Sequence, residues 1–245
     1  MSTPPYKNRT VLITGAAVRL GRAMAETLAR VGWDVIVHAH RSVTQAHDLC
    51  TRLATFGGHA WLVTGDLLAA DGPENVFKDA LACTGHVDAL VNNASQFALQ
   101  PLATSTPDDF ERLWRINTLA PVRLTQLLAA HLVGRHATGC AINLLDQRIA
   151  QPHAGTLPYL LSKKALEAFT LSAALELAPA LRVNAVAPGA VLLPSASEAK
   201  EPAGLFPLNT RPTAGQVADA VRYLLEADAV SGQILYVDGG QHLFS

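Results

Sequence analysis

Short apolar runs alternate with longer amphipathic stretches from one end of this chain to the other, and no other feature constrains its fold as much. The runs cover 10–14 ("TVLIT"), 34–40, 59–66, 88–94, 140–146 ("CAINLLD"), 181–189 and 232–240; helical periodicity fills 20–32, 44–57, 73–85, two stretches around 107–135, then 159–178 and 213–227. Strands this short and uniformly apolar are buried on both faces, and helices between them act as right-handed crossovers of a parallel sheet. The pattern predicts an α/β fold, a doubly wound parallel sheet forming a single domain over 1–245. With 49% apolar residues the chain can bury one substantial core. The exception is 192–212, "LLPSASEAKEPAGLFPLNTRP", a segment long enough to expect either a lid that folds over substrate or a disordered insert.

Charge and cysteine usage narrow the partners. A formal charge of -1 gives no electrostatic footprint for nucleic acid or an anionic membrane, so the expected partner is a small molecule. Cys50, Cys83 and Cys140 lie far apart without metal-ligand spacing, which predicts buried thiols, no disulfide framework and no metal. No run approaches the roughly 18 apolar residues of a membrane span, and "MSTPPYKNRT" lacks the apolar stretch of a signal peptide. The expected location is cytoplasmic.

The first strand runs into "TGAAVRLG", 14–21, and then a helix. Gly15 permits a tight turn, Gly21 permits close packing, and the helix N-terminus after Arg19 and Leu20 offers N–H groups to a dinucleotide pyrophosphate, as in Rossmann-type sheets. The second strand ends in His40, Arg41 and Ser42, where NAD-specific proteins tend to carry an acid. A carboxylate would repel a 2′-phosphate, whereas Arg41 can pair with one, so the expected cofactor is NADPH. Asp66, Asn93 and Ala94 fall at the same carboxyl edge of the sheet.

"TGAAVRLG", "NNAS" (92–95), Asn117 in "NTLAP", "YLLSK" (159–163) and "APG" (187–189) together resemble the short-chain dehydrogenase/reductase family over essentially the whole chain. Arg19 stands where the family usually has a glycine, and Asp146, thirteen residues before Tyr159, stands where it usually has a serine. With "HRS" and "NNASQF", these departures are similar to the pteridine reductases, including the bacterial dihydromonapterin reductases. The resemblance implies a pterin sandwiched between nicotinamide and Phe97, with Ser95 touching pterin or cofactor and Arg19 touching the phosphates and pterin edge. It also implies cofactor contacts at Lys163, Pro188 and Gly189, a water chain or helix kink kept by Asn117, and a homotetramer packed through the helices near 107–135 and 159–178.

Tyr159 and Lys163 share a helix face, and Pro158 suits a first helical position. A phenol with a pKa of about 10 is a poor acid–base group at neutral pH, and the Lys163 ammonium is expected to draw it down. A serine beside Tyr159 would suit a ketone, whereas Asp146 suits a ring C=N, which needs a proton at nitrogen and carries N–H groups for a carboxylate to accept. A strand-end Asp also serves as a turn cap. Lys164 is expected to be a solvated charge, His153 polar surface, and Leu192 a pterin contact. The leading expectation is reduction of a dihydropterin or folate by NADPH through Asp146, Tyr159, Lys163 and Asn117. A ketone or 3-oxoacyl reductase and a non-catalytic NADPH-binding sensor or scaffold are the alternatives.

Overall fold

The computed structural model describes residues 9–191 and 206–244. Its strands are β1 (Thr10–Ile13), β2 (Asp34–Ala39), β3 (Ala60–Thr64), β4 (Ala89–Asn92), β5 (Gly139–Leu144), β6 (Leu181–Pro188) and β7 (Ile234–Val237). The helices between them are α1 (Arg19–Arg30), α2 (Val43–Ala54), α3 (Gly72–Thr84), α4 (Pro107–Trp114), α5 (Ala120–Gly134), α6 (Leu157–Glu176) and α7 (Ala214–Glu226). A π turn, Arg115–Leu119, joins α4 to α5.

The strands form one seven-stranded sheet in the order β3-β2-β1-β4-β5-β6-β7. Every pairing is parallel, so the doubly wound α/β expectation holds. Side chains alternate faces along each strand. Val11, Ile13, Val35 and Val37 pack with Met24, Leu28, Leu49 and Val221 from α1, α2 and α7. Leu12, Ile36 and Leu90 point the other way, into Val76, Leu124 and Leu128 from α3 and α5. Covering both faces is why these strands read as continuous apolar runs rather than alternating ones.

Several strands stop short of the apolar runs that announce them. β3 ends at Thr64, β4 at Asn92 and β5 at Leu144, leaving Asp66, Asn93, Ala94 and Asp146 beyond the ladder at the carboxyl edge. There the backbone leaves the sheet and its polar groups find other partners. Helix α6 starts at Leu157, so Pro158 occupies its second position rather than the first. The missing N–H costs nothing there either, since first-turn donors have no helical acceptor. Behind the edge a buried polar chain ties the layers together. Asn92 Nδ2 donates to Asn143 Oδ1 at 2.9 Å, and Asn143 Nδ2 donates to Thr170 Oγ1 on α6 at 2.9 Å.

Candidate active site

The order of the strands reverses between β1 and β4, and the loop after β1 opens into that crevice. Gly15 adopts φ +62°, a left-handed conformation that glycine takes without strain. A Cβ on Gly21 would lie 2.3 Å from the Gly15 carbonyl oxygen, so only glycine lets α1 start this close to the turn. The loop is tied down from β4. Thr14 Oγ1 accepts from the N–H groups of Asn93 and Ala94, both at 2.9 Å, while Asn93 Nδ2 donates to the carbonyls of Thr14 (2.8 Å) and Gly15 (3.0 Å). No side chain caps α1 at Val18. Its first N–H groups therefore suit an anion, with Arg19 exposed and Leu20 half-buried beside them.

At the end of β2, His40 and Arg41 are exposed and Ser42 leads into α2. His40 Nδ1 lies 3.6 Å from Asp66 Oδ1, and Asp66 Oδ1 accepts from the Leu68 N–H at 3.0 Å. A dinucleotide fits this edge: a turn that opens with Gly15, Ala16 and Ala17, an uncapped helix start, and an exposed arginine one strand away. Pro188 closes β6, and the backbone of Gly189 lies so near Asp238 that a Cβ would approach its Cα to 2.8 Å.

Sequence reasoning overlooked His38 and Thr14. The buried His38 ring accepts the Gly15 N–H on Nδ1 at 3.2 Å, which leaves Nε2 to donate to the Gly65 carbonyl at 3.2 Å. One neutral imidazole thus joins the ends of β1, β2 and β3. Burial pushes its pKa down from 6.5 to about 4, so it stays neutral near pH 7. A histidine inside the apolar run "DVIVHAH" was the available signal.

On the other side of the crevice, Tyr159 Oη donates to Asp146 Oδ2 at 2.9 Å. Asp146 also begins the short turn Gln147–Ala150, its Oδ1 accepting the Arg148 N–H at 2.9 Å, so the turn-capping use and the contact with Tyr159 coexist. Arg148 Nη1 reaches both carboxylate oxygens, at 3.2 and 3.0 Å. Burial, with the Asp146 charge second, holds the Tyr159 phenol well above its ordinary range. This corrects the expectation that Lys163 draws the phenol down. Lys163 Nζ donates to the Leu144 carbonyl at 2.7 Å and lies 5.9 Å from the Tyr159 ring centre, and burial lowers its own pKa to about 8.

Asn117 is fully buried in the π turn. Its Oδ1 accepts from Ser95 Oγ and the Gln96 N–H, both at 2.9 Å, while Nδ2 donates to the Gln96 carbonyl and Ser162 Oγ, both at 3.0 Å. Those four bonds fix the segment that presents Phe97. The ring of Phe97 is 50% exposed and meets Tyr159 edge to face at 4.9 Å between centroids. Lys164 is not simply solvated: its Nζ donates to the Ile149 carbonyl at 2.6 Å, because the turn after Asp146 folds back over α6. His153 is exposed. Leu192 lies outside the described residues, as does the 192–205 part of the expected substrate loop. From the remainder, Phe206 packs into the body beneath Gly239, and Arg211 donates to the Ala190 carbonyl. Among the described residues no cluster of His, Cys, Asp and Glu could hold a metal ion, and no helix is long and apolar enough to cross a membrane.

The sequence pattern of the short chain dehydrogenase family matches residues 9–203. Pteridine reductase 1 of Leishmania tarentolae is 33% identical, with 99% of each chain covered. The alternative dihydrofolate reductase 1 FolM of Brucella canis, solved with NADP, superposes with a TM-score of 0.89 at 33% identity, covering 97% of this chain and 96% of that one. Acetoin dehydrogenase of Enterobacter cloacae superposes with a TM-score of 0.90 at 28% identity, covering 97% of each chain.

The neutral His38 makes stability depend on acid. Its unfolded ring takes a proton near pH 6.5 and its folded ring only near 4, so stability is complete above pH 6.5 and falls as the pH drops toward 4. The loss from this group is about 3 kcal/mol. Urea denaturation at pH 7 and pH 4 should show a smaller pH-dependent loss in His38→Gln than in the native protein; equal losses would remove His38 from the linkage.

Proposed function

The chain belongs to the short chain dehydrogenase family and is an oxidoreductase, and we propose that within this family it is an NADPH-dependent pteridine reductase. Its substrate in this reading is a 7,8-dihydropterin, such as dihydrobiopterin or dihydromonapterin, or dihydrofolate, which it takes to the tetrahydro form. The observation that carries the reading is the hydrogen bond from Tyr159 to Asp146 on a tyrosine whose ring meets the exposed ring of Phe97 edge to face. A flat heterocycle has a surface to lie on and a proton donor at its edge, and the neighbouring carboxylate accepts from ring N–H and amino groups. The pteridine reductase and dihydrofolate reductase relatives support the same substrate class.

NADPH, when bound, supplies the hydride that goes to the ring carbon of the C=N bond. The glycine loop and the start of α1 hold the pyrophosphate, Arg41 with His40 and Ser42 the 2′-phosphate, and Lys163 the nicotinamide ribose. Asp66, Ala94, Ser95, Pro188 and Gly189 line the same edge. Asn117 holds Ser95 and the Phe97 segment in place. Tyr159 gives its proton to the ring nitrogen. Reduction needs an acid at this step; the phenol, held above its ordinary range by burial and Asp146, stays protonated in the neutral range but is a weak acid there, so its proton leaves only as hydride addition makes the ring nitrogen basic.

Of the three free thiols Cys140 is buried, Cys50 is half-buried and Cys83 is exposed, which corrects the expectation that all are buried; three cysteines far apart and a reducing cofactor suit a cytoplasmic enzyme. Helix α6 keeps Leu161, Leu171 and Leu175 exposed, and a groove of about 600 Å³ lined by Phe110, Trp114 and Leu161 runs between α4 and α6. Covering these surfaces with further copies supports a homotetramer.

The test is NADPH oxidation by the purified protein with a 7,8-dihydropterin. The native enzyme should turn it over and Tyr159→Phe should lose about 100-fold or more in kcat; absence of pterin turnover in the native enzyme overturns the reading. Arg41→Ala should lower kcat/KM for NADPH about tenfold while leaving NADH nearly unchanged, as expected for one lost phosphate contact. Equal losses with both cofactors would move the 2′-phosphate site elsewhere.

A further inference from the structure

Arg148 belongs to none of the roles assigned above, yet it closes the ring of contacts around the reacting proton. The turn that carries it is pinned: Ile149 is buried against Leu145 and Leu166, Gln147 is buried, and Lys164 holds the Ile149 carbonyl. Arg148 is thereby directed back over Asp146 and reaches both of its oxygens. The guanidinium carbon lies 5.4 Å from the centre of the Phe97 ring, within the range of a cation–π contact. Its Nε is enclosed and has no hydrogen-bond partner. A buried donor left unmet costs about 1–3 kcal/mol. The side chain is therefore held by its hydrogen bonds to Asp146 and by the face of Phe97, at the expense of a partner for Nε.

Charge explains what this placement accomplishes. As Tyr159 gives up its proton, a phenolate forms at the position where its oxygen lies 2.9 Å from Asp146 Oδ2. Two adjacent anions in a buried site repel strongly. Lys163 points to the Leu144 carbonyl, whereas Arg148 contacts the carboxylate itself. With Arg148 present, the group of three side chains goes from neutral to a single negative charge when the proton leaves; without it, the change would be from one negative charge to two. The Arg148 charge favours the phenolate, opposing both burial and Asp146.

We propose that Arg148 is a positioning residue for proton delivery: it holds the Asp146 carboxylate on the Tyr159 hydroxyl and supplies the counter-charge Tyr159 needs when its proton leaves. In the step it assists, hydride adds to the substrate carbon, the π electrons of C=N move to nitrogen, the Tyr159 O–H bond breaks and an N–H bond forms. Oxidised cofactor and the phenolate remain, and the phenolate then takes a proton from solvent. The proposal rests on the oxidoreductase reading of Tyr159, and its pterin form rests on the function proposed above.

Arg148→Met removes charge and fork together, while Arg148→Lys keeps the charge. Both are assayed beside the native protein on the best acceptor from a panel of 7,8-dihydropterins and ketones, with Arg148→Gln as a second neutral variant should Met not fold. Arg148→Met should lower kcat about tenfold or more, leave KM for NADPH within about twofold, and raise the solvent deuterium isotope effect on kcat as proton transfer becomes slower. Arg148→Lys should recover most of the rate. An unchanged kcat in the neutral variants, an unchanged isotope effect, or a Lys variant as impaired as Met would overturn the counter-charge role. Native activity on ketones without pterin turnover would remove the pterin reading and leave Arg148 tested on the ketone, where the same proton goes to oxygen.

Discussion

A parallel sheet buried on both faces can expose its connections only along its two edges, and every chemical group considered above depends on that constraint. Seven parallel strands bring their carboxyl ends to one edge, where the reversal between β1 and β4 leaves a crevice. Thr14 and Asn93 brace the loop on one side of the crevice against the strand on the other. His38 adds a third strand end to the brace. The glycine loop is thus a held backbone surface, and its unused N–H groups are a fixed resource for an anionic ligand.

Across the crevice the problem is one of charge. In the reaction proposed for this site, Tyr159 has to keep its proton until hydride arrives and then survive as an anion. Burial and Asp146 achieve the first. The cations Arg148 and Lys163 bear on the second from different distances, one against the carboxylate and the other behind the ring. A serine in place of Asp146 would bring no charge and call for no arginine. The pairing of Asp146 with Arg148 is therefore a single electrostatic unit, and Phe97 packs against both the arginine and the tyrosine.

Much of this was legible in the sequence because it lies in period and spacing. The alternation of apolar runs and amphipathic stretches predicts the sheet and its crossovers, and the glycines after β1 mark the turn. What escaped was contact between residues distant in the chain or with the backbone. His38 looks like any inward strand residue until Gly15 is folded onto it. Lys163 and Lys164 both end on main-chain carbonyls, Leu144 and Ile149, which no side-chain pattern announces. The net shift of the Tyr159 phenol is upward, because burial and Asp146 outweigh any pull from Lys163, whose ammonium is turned to the Leu144 carbonyl. Asp146 was legible as unusual, but its partnership with Arg148 depends on a turn whose backbone folds onto α6.

The central claim, that Asp146 commits this site to a nitrogen heterocycle, is tested most directly by Asp146→Ser assayed for kcat/KM on a 7,8-dihydropterin and on a ketone panel. Loss of about 100-fold or more on the pterin, with ketone turnover maintained or raised, is the result this reading predicts. Retention of pterin turnover by the serine variant would contradict it and reduce Asp146 to a turn cap that happens to touch Tyr159.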